Sequence, residues 1–465
     1  MGKNHYIQVV LPVKLEWFPW YCSDMELEQG TRVSVRFGRN VYIGFVLEKG
    51  GQPDIDPERI KPVIQVESQL ERISGDEIKL WRFISEYYMC TLGEVYKAAY
   101  PALRVEAENK KARTKLEPEC KGRSARLTET EKKAVVQILD SFDEKKAVLL
   151  HSLSRQAIYD ELIRRTLEKG KDVLVLNPGA KRMSSTERRD FAEMLRSNQA
   201  VVVRSSRTAV FLPFHKLGLV IIDEEQDITY KQEAPSPRYN ARDVAIVLAR
   251  LHDADVVLGS SAPSLESFYN VITGKYKFVR SDMEQAQGKE VLLIDTDAER
   301  KKNGMVGELS RVLLAEKDAL EAAKKKVLIV NSWELGNISK LKLGKYPLVA
   351  VLHFEFLFSK QDFRADEKAW QTFEKLKAAT GGKLVIQTSN TSHPVFSGNV
   401  ERMMEERKIA LLPPYTRQII ARNRNGEPID QVFIPKSGNL ANDKKRFLEE
   451  ASSMPGFGYV DVDPV

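Results

Sequence analysis

The segment Leu219 to Asp227, reading LVIIDEEQD, sets adjacent carboxylates, Asp223 and Glu224, directly after an apolar run that contains Val220, Ile221 and Ile222. Such a run reads as a strand buried in a parallel sheet, and its last side chains then stand at the carboxyl edge, where ligands of open α/β folds bind. At that edge Asp223 would hold Mg²⁺ through water and Glu224 would orient an attacking water, which is phosphoryl-transfer chemistry. That chemistry needs a second part: a glycine-rich turn whose N–H groups wrap the phosphates, then Lys for charge and Ser or Thr for the metal. No G-x-x-x-x-G-K-[ST] occurs anywhere in the chain.

Where the cradle should stand, a strand from Ala147 to Leu150 runs into His151-Ser152-Leu153-Ser154-Arg155-Gln156-Ala157 and then a helix. No glycine permits the tight turn, and Leu153 puts a branched side chain where backbone should approach a pyrophosphate. Gln156 and Ala157 hold the positions of the cation and the metal-ligating hydroxyl. Arg155 offers a charge one residue early without restoring the loop. Asp223 and Glu224 are then expected to persist as strand-end residues that hold a salt bridge, with Ser154 to Ala157 a degenerate nucleotide site and no catalytic group active.

The elements that must position these residues follow from periodicity. Apolar and polar positions alternate over Tyr6–Leu11, Arg32–Phe37 and Tyr42–Leu47, with turns at Gly30, Gly38 and Gly50-Gly51, which reads as a small β-barrel or meander. Ile78, Leu80, Trp81, Ile84, Tyr87 and Tyr88 take helical spacing and are expected to cap it. Basic residues collect at Lys110, Lys111, Arg113, Lys115, Lys121, Arg123 and Arg126, a linker that could also lie on phosphates. Helices then alternate with apolar strands at Val148–Leu150, Val173–Leu176, Ala200–Val203, Val220–Ile222 and Val256–Leu258, the pattern of a parallel α/β sheet. After a loop at Glu284–Glu290, strands recur at Val291–Ile294, Val327–Val330, Leu348–Leu352 and Leu384–Gln387. The fold class read here is multidomain α/β. A β-rich domain spans 1–105, a basic linker 106–126, a first α/β lobe 127–285, a truncated second lobe 286–395 and an α+β tail 396–465.

Composition adds bounds. A net charge of +7 over 465 residues mildly favours a polyanionic partner. The three cysteines, Cys22, Cys90 and Cys120, form no CxxC pair, so neither structural zinc nor a disulfide framework is expected. No apolar run approaches the roughly 18 residues of a membrane span, so the expectation is a cytoplasmic protein with no membrane partner.

Phe211-Leu212-Pro213-Phe214, LVIIDEEQD, Tyr230-Lys231-Gln232, Pro237-Arg238-Tyr239-Asn240-Ala241-Arg242-Asp243 and Gly259-Ser260-Ser261-Ala262-Pro263-Ser264 occur in the order and spacing of the first motor lobe of the PriA family, the bacterial replication-restart helicases. Leu11-Pro12-Val13, Gly30-Thr31-Arg32-Val33 and Phe37-Gly38-Arg39 resemble that family's N-terminal domain, which binds the 3′ end of a nascent strand. Asp362-Phe363-Arg364-Ala365-Asp366-Glu367 and Val385-Ile386-Gln387-Thr388 resemble its second lobe, and Leu412-Pro413-Pro414 leads into its C-terminal domain. The resemblance implies two RecA-like helicase lobes, forked or single-stranded DNA as ligand, and primosome or single-strand-binding proteins as partners. It implies DNA contacts at Gly38, Arg39, Lys61, Lys231, Arg238 and Arg242, and Trp17 and Trp20 are expected beside them as DNA-binding aromatics that stack bases.

The departures concentrate on catalysis. The family's DEEH reads Asp223-Glu224-Glu225-Gln226, its GSATPS carries Ala262 for Thr, and the cysteine-rich zinc insertion is absent. The QVAGRAGR that carries its arginine finger is replaced by Phe373-Glu374-Lys375-Leu376-Lys377-Ala378-Ala379-Thr380. Pro19 and Trp20 replace the Phe-Asp pair of its 3′-end pocket, while Gly38 and Lys61 match. Trp17, Phe18 and Trp20 could stack bases or pack the barrel. The expected function is DNA binding in replication restart without ATP hydrolysis. A helicase with an atypical Mg-ATP site and a protein-interaction platform that binds no DNA are the alternatives.

Overall fold

The computed structural model describes residues 5–50, 53, 55–101, 118–123, 126–281, 290–436 and 439–464. Most of the basic linker, Lys110, Lys111, Arg113 and Lys115 included, and the loop from Glu284 to residue 289 lie outside the described residues.

The N-terminal strands are β1 (His5–Val10), β2 (Trp20–Ser23), β3 (Arg32–Phe37), β4 (Asn40–Lys49), β5 (Lys61–Pro62) and β6 (Gln65–Val66), in the order β5-β2-β1-β4-β3-β6. β5 and β6 belong to one segment, so the two edges of the sheet meet. Tyr21 pairs with Lys61 on one side and Ser34 with Gln65 on the other, and the Val63 and Ile64 N–H groups donate to Cys22 O and Ser34 O, each at 2.9 Å. This closure, which leaves no free edge, makes the sheet a barrel. Ile7, Val9, Val33, Val35 and Val46 fill its interior. Val10, Phe45 and Leu47 point the other way, onto Trp81 and Ile84 of α1 (Gly75–Tyr87) and Tyr96 of α2 (Leu92–Ala99). The period of two along a strand thus serves two cores, and the helices cap the barrel through the outer one.

The first α/β unit contains α3 (Glu129–Asp143), β7 (Ala147–His151), α4 (Gln156–Glu168), β8 (Asp172–Leu176), α5 (Ser185–Arg196), β9 (Val202–Ser205), β10 (Leu217–Asp223), α6 (Ala241–Leu251), β11 (Asp255–Ser260), α7 (Leu265–Ile272) and β12 (Tyr276–Arg280). Its six strands run parallel in the order β12-β7-β11-β10-β8-β9. Helices cover both faces, which is why β8 and β10 read as continuous apolar runs. β12 has no counterpart among the sequence-derived strands. It is a sheet edge with Phe278 exposed and Val279 buried, a mixed pattern too short to register as a buried run.

The second unit contains β13 (Val291–Asp295), α8 (Thr296–Lys302), β14 (Met305–Val306), β15 (Leu309–Ser310), α9 (Arg311–Ala322), β16 (Val327–Asn331), β17 (Leu348–Leu352), α10 (Ala365–Ala379) and β18 (Lys383–Thr388). Four of its strands form a parallel sheet in the order β13-β18-β17-β16, and β14 and β15 pair as a short hairpin. The C-terminal part has α11 (Val400–Ile409), then β19 (Thr416–Asn423), β20 (Pro428–Pro435), α12 (Leu440–Ser452) and β21 (Phe457–Val462), with an antiparallel sheet ordered β20-β19-β21. Among the described residues, no helix is long and apolar enough to cross a membrane.

Ionic ties join these units. The Leu265 N–H, at the start of α7, donates to Glu367 Oε1 of α10 at 2.9 Å, and Arg407 of α11 reaches Glu367 Oε2 at 3.1 Å with both side chains buried. Tyr87 Oη donates to Asp463 at 2.7 Å, and Lys444 Nζ donates to the Tyr87 carbonyl at 2.6 Å while lying 3.7 Å over its ring.

Candidate nucleotide cleft and barrel-end nucleic-acid interface

β10 delivers Asp223 to the carboxyl edge of the first parallel sheet, in register with Gly259 of β11. The turn from β7 into α4 brings Arg155 to the same edge. Its guanidinium donates from Nε to Asp223 Oδ1 at 2.8 Å, from Nη1 to the Ser152 carbonyl at 2.5 Å and from Nη2 to Glu224 Oε1. Tyr159, one helical turn beyond Arg155, donates its hydroxyl to the same Asp223 oxygen at 2.9 Å. Burial works against the Arg155 charge, but Tyr159, Asp223 and Glu224 hold it above the ordinary guanidinium range. Gly259 is a requirement of this arrangement: a Cβ there would fall 1.7 Å from Tyr159 Oη and 2.9 Å from Arg155 Cδ.

The residues beside Arg155 take ordinary roles. Ser154 is exposed, and its carbonyl accepts from Ser152 Oγ at 2.8 Å. Gln156 donates to Asp160 of its own helix at 2.7 Å. Ala157 opens the packed part of α4. His151 places Nε2 3.1 Å from the Ser261 carbonyl, and burial pushes its pKa down to about 4.

Glu225 is buried. It accepts from the Ser264 N–H at 2.6 Å, from Ser264 Oγ at 2.9 Å and from Arg242 Nη1 at 3.0 Å, so it secures the turn into α7. Gln226 bridges Ser260 Oγ at 2.6 Å and Glu224 Oε2 at 2.8 Å. From the second unit, Lys375 Nζ comes within 3.6 Å of both Glu224 and Asp227. This lysine belongs to the stretch that replaces the family's finger motif. Sequence reading recognised Arg155 as a charge but missed Tyr159 and Lys375. The spacing of Arg155 and Tyr159 on one helix face was the available signal for the first. Nothing local signals the second.

Of the residues expected on a DNA-facing surface, Lys231 is enclosed instead, and Arg238 and Arg242 are half-buried with partners inside the protein. Lys231 is fully buried, 2.9 Å from Asp461 Oδ1, and donates to the Val462 carbonyl at 2.5 Å. A cation so enclosed has no phosphate to reach. Arg238 lies 3.4 Å over the Tyr459 ring. Arg242 is spent on Glu225, Asp243 and Ser264. These side chains bind the first α/β unit together and to the C-terminal sheet.

The remaining expected residues gather at one end of the barrel. Gly38 and Arg39 form the β3–β4 turn, where Gly38 has φ +59 and both residues are exposed. The antiparallel run that pairs Ser34 with Gln65 leads toward Gly38 on one strand and Lys61 on the other, and Tyr21 Oη donates to the Arg36 carbonyl at 3.1 Å across the same end. Trp17 is 56% exposed with its ring 6.1 Å from Phe37, so its outer face is open to solvent. Trp20 is half-buried in β2, and Phe18 packs against the outer core. Of the aromatics that could stack or pack, Trp17 is open, Phe18 packs and Trp20 does some of each.

The family model described as the 3′DNA-binding domain (3′BD) matches residues 8–101, the barrel with its two capping helices. Beyond it, the replication restart protein PriA of Rickettsia prowazekii (strain Madrid E) is 30% identical over 359 residues, covering 70% of this chain and 53% of that protein. The chain belongs to the PriA family. PriA of Helicobacter pylori (strain J99 / ATCC 700824) is 27% identical over 289 residues, 57% of this chain and 44% of that protein. The chain thus spans about half the length of the curated PriA relatives it matches. Among solved structures, the DUF1998 helicase MrfA bound to DNA covers 63% of this chain and 56% of its own at 13% identity, with a TM-score of 0.35.

Proposed function

We propose that this chain binds DNA in replication restart through its barrel, and that its two RecA-like lobes serve as a fixed scaffold and not as an ATP-driven motor. The observation that carries the second half is the pairing of Arg155 with Asp223 and Glu224. In a working motor one carboxylate holds the metal and the other orients water. Here both accept hydrogen bonds from a guanidinium of the same protein, and Tyr159 takes a further lone pair of Asp223.

These residues do not fit a magnesium nucleotide. No glycine lies between His151 and Ala157 to wrap phosphates, Gln156 is turned to Asp160, and a bound cation would have to displace Arg155. Phosphoryl transfer is catalysed almost wholly by positioning and charge, so this loss removes most of what a motor would use. The first half of the reading rests on the 3′DNA-binding domain match and on Trp17, Arg39 and Lys61 at the barrel end. Pro19 and Trp20 in place of a Phe-Asp pair leave no carboxylate to grip a terminal hydroxyl, so the ligand is read as single-stranded or forked DNA held by charge and stacking.

The test is binding of the purified chain to a fluorescent fork with a free 3′ nascent end, at low and moderate salt, with and without Mg-ATP, beside an ATPase assay. Salt-dependent binding unaltered by ATP, without turnover, is expected. DNA-stimulated hydrolysis would overturn the scaffold reading, and no binding at low salt would make the chain a protein platform.

A further inference from the structure

The amino edge of the second parallel sheet carries a strongly basic row. Lys324, Lys325 and Lys326 lead into β16, and Lys342 and Lys345 lead into β17; all five are exposed. β16 and β17 pair in parallel, Val327 with Leu348, so the two lysine loops lie side by side. Lys324, Lys325 and Lys326 border an open groove of about 390 Å³ with Tyr346 half-buried in its wall. None of the five has an ion-pair partner among the described residues. The nearest acid in the groove wall, Glu321, is taken by Lys317 at 2.8 Å. Some lysines of the same unit are paired: Lys377 holds Glu374, and Lys383 holds Glu290 and Glu316.

A plainer account exists for part of the row. Lys324 to Lys326 follow the C-terminus of α9, where the helix dipole favours cations by about 0.3–1 kcal/mol each. It does not reach Lys342 and Lys345, which precede β17 from a separate turn. Five like charges at one edge repel one another, and an external polyanion is what relieves that repulsion.

We infer that this row is a second nucleic-acid contact, for the phosphate backbone of a duplex arm; the inference rests on the DNA-binding reading of the barrel. Ammonium groups on flexible stems contact phosphates without reading bases. Single-strand binders add exposed aromatic platforms, and here Tyr346 sits partly buried below the lysines, so the row suits a duplex. Barrel end and lysine row together would hold a fork by its single-stranded end and one of its arms.

The experiment compares the wild-type chain with K324E/K325E/K326E on two probes, the fork and a 3′-ended single-stranded oligonucleotide, across a salt series. A charge-matched control, K301E/K302E/K360E, alters exposed lysines elsewhere on the same unit. The expected result is a loss of about tenfold or more in fork affinity at moderate salt, a salt slope lower by about three, and unchanged oligonucleotide binding. The Lys→Arg triple variant should keep wild-type behaviour, and a thermal melt of each variant checks the fold. Unchanged fork binding, or an equal loss in the charge-matched control, would overturn the second contact while leaving the barrel reading standing. A wild type that binds neither probe would overturn both.

Discussion

The cleft and the barrel end treat charge in opposite ways. Between Asp223 and Asp227 every carboxylate meets a cation of the same protein: Arg155 for Asp223 and Glu224, Arg242 for Glu225, Lys375 for Asp227. At the barrel end Arg36, Arg39 and Lys61 are exposed and have no ion-pair partner among the described residues. Charge satisfied from within has nothing left to offer a ligand, whereas charge left open does. The region whose motifs resemble a motor is the one whose charges are closed on themselves, and the barrel end is the one that leaves its cations open.

The largest effect is expected at the buried ion pair between α10 and α11. Arg407→Ala should destabilise the fold by about 3–5 kcal/mol, because Glu367 is then buried without its partner; chemical denaturation measures it. A destabilisation below about 1 kcal/mol would mean that α10 and α11 are held together by other contacts.

Next comes Arg155→Ala, expected to cost about 2–3 kcal/mol. Asp223 and Glu224 keep some solvent, so the cost falls short of that for a fully enclosed pair. The variant should gain no ATPase activity, since the cradle glycines and lysine are still missing. Hydrolysis appearing in it would show that Arg155 alone had silenced the site.

His151 supplies a pH signature on the same side of the comparison. Burial lowers its folded-state pKa to about 4, below the unfolded value, so the unfolded chain binds more protons between those limits. Stability from this group is therefore complete above about pH 6.5 and is lost as pH falls toward 4, by of order 3 kcal/mol. His151→Gln should flatten that part of the stability profile in denaturation curves taken from pH 7 to 4.5.

At the barrel end the effects belong to binding and not to folding. Arg39→Glu with Lys61→Glu should lower the salt slope of DNA binding by about two while the melt stays unchanged. Trp17→Ala should cost about 1–3 kcal/mol of affinity for single-stranded DNA where a base stacks on the open indole. The smallest effect is expected for Lys375→Ala: its contacts are 3.6 Å and partly solvated, so a change within about 1 kcal/mol is expected in the same denaturation assay.

Much of this was legible in the residues. The apolar run before Asp223 announced a buried parallel strand, and the alternation in the first fifty residues announced the barrel. A salt bridge at the strand end followed from two carboxylates with no metal to hold. What could not be read was which charges would find partners far along the chain. Lys231, Arg238 and Arg242 look like surface cations in a motif, yet their partners are Asp461, Tyr459 and Glu225, one near in sequence and two more than two hundred residues away.

The sequence by itself determined the strands and their period, and which residue types stand at the β7–α4 turn, because those depend on local side-chain spacing and on residue types that are present or absent. Only the tertiary structure decided whether a given charge is open or satisfied, because that depends on which distant segment packs against it. The same Lys or Arg is a ligand site in one packing and a buried rivet in the other.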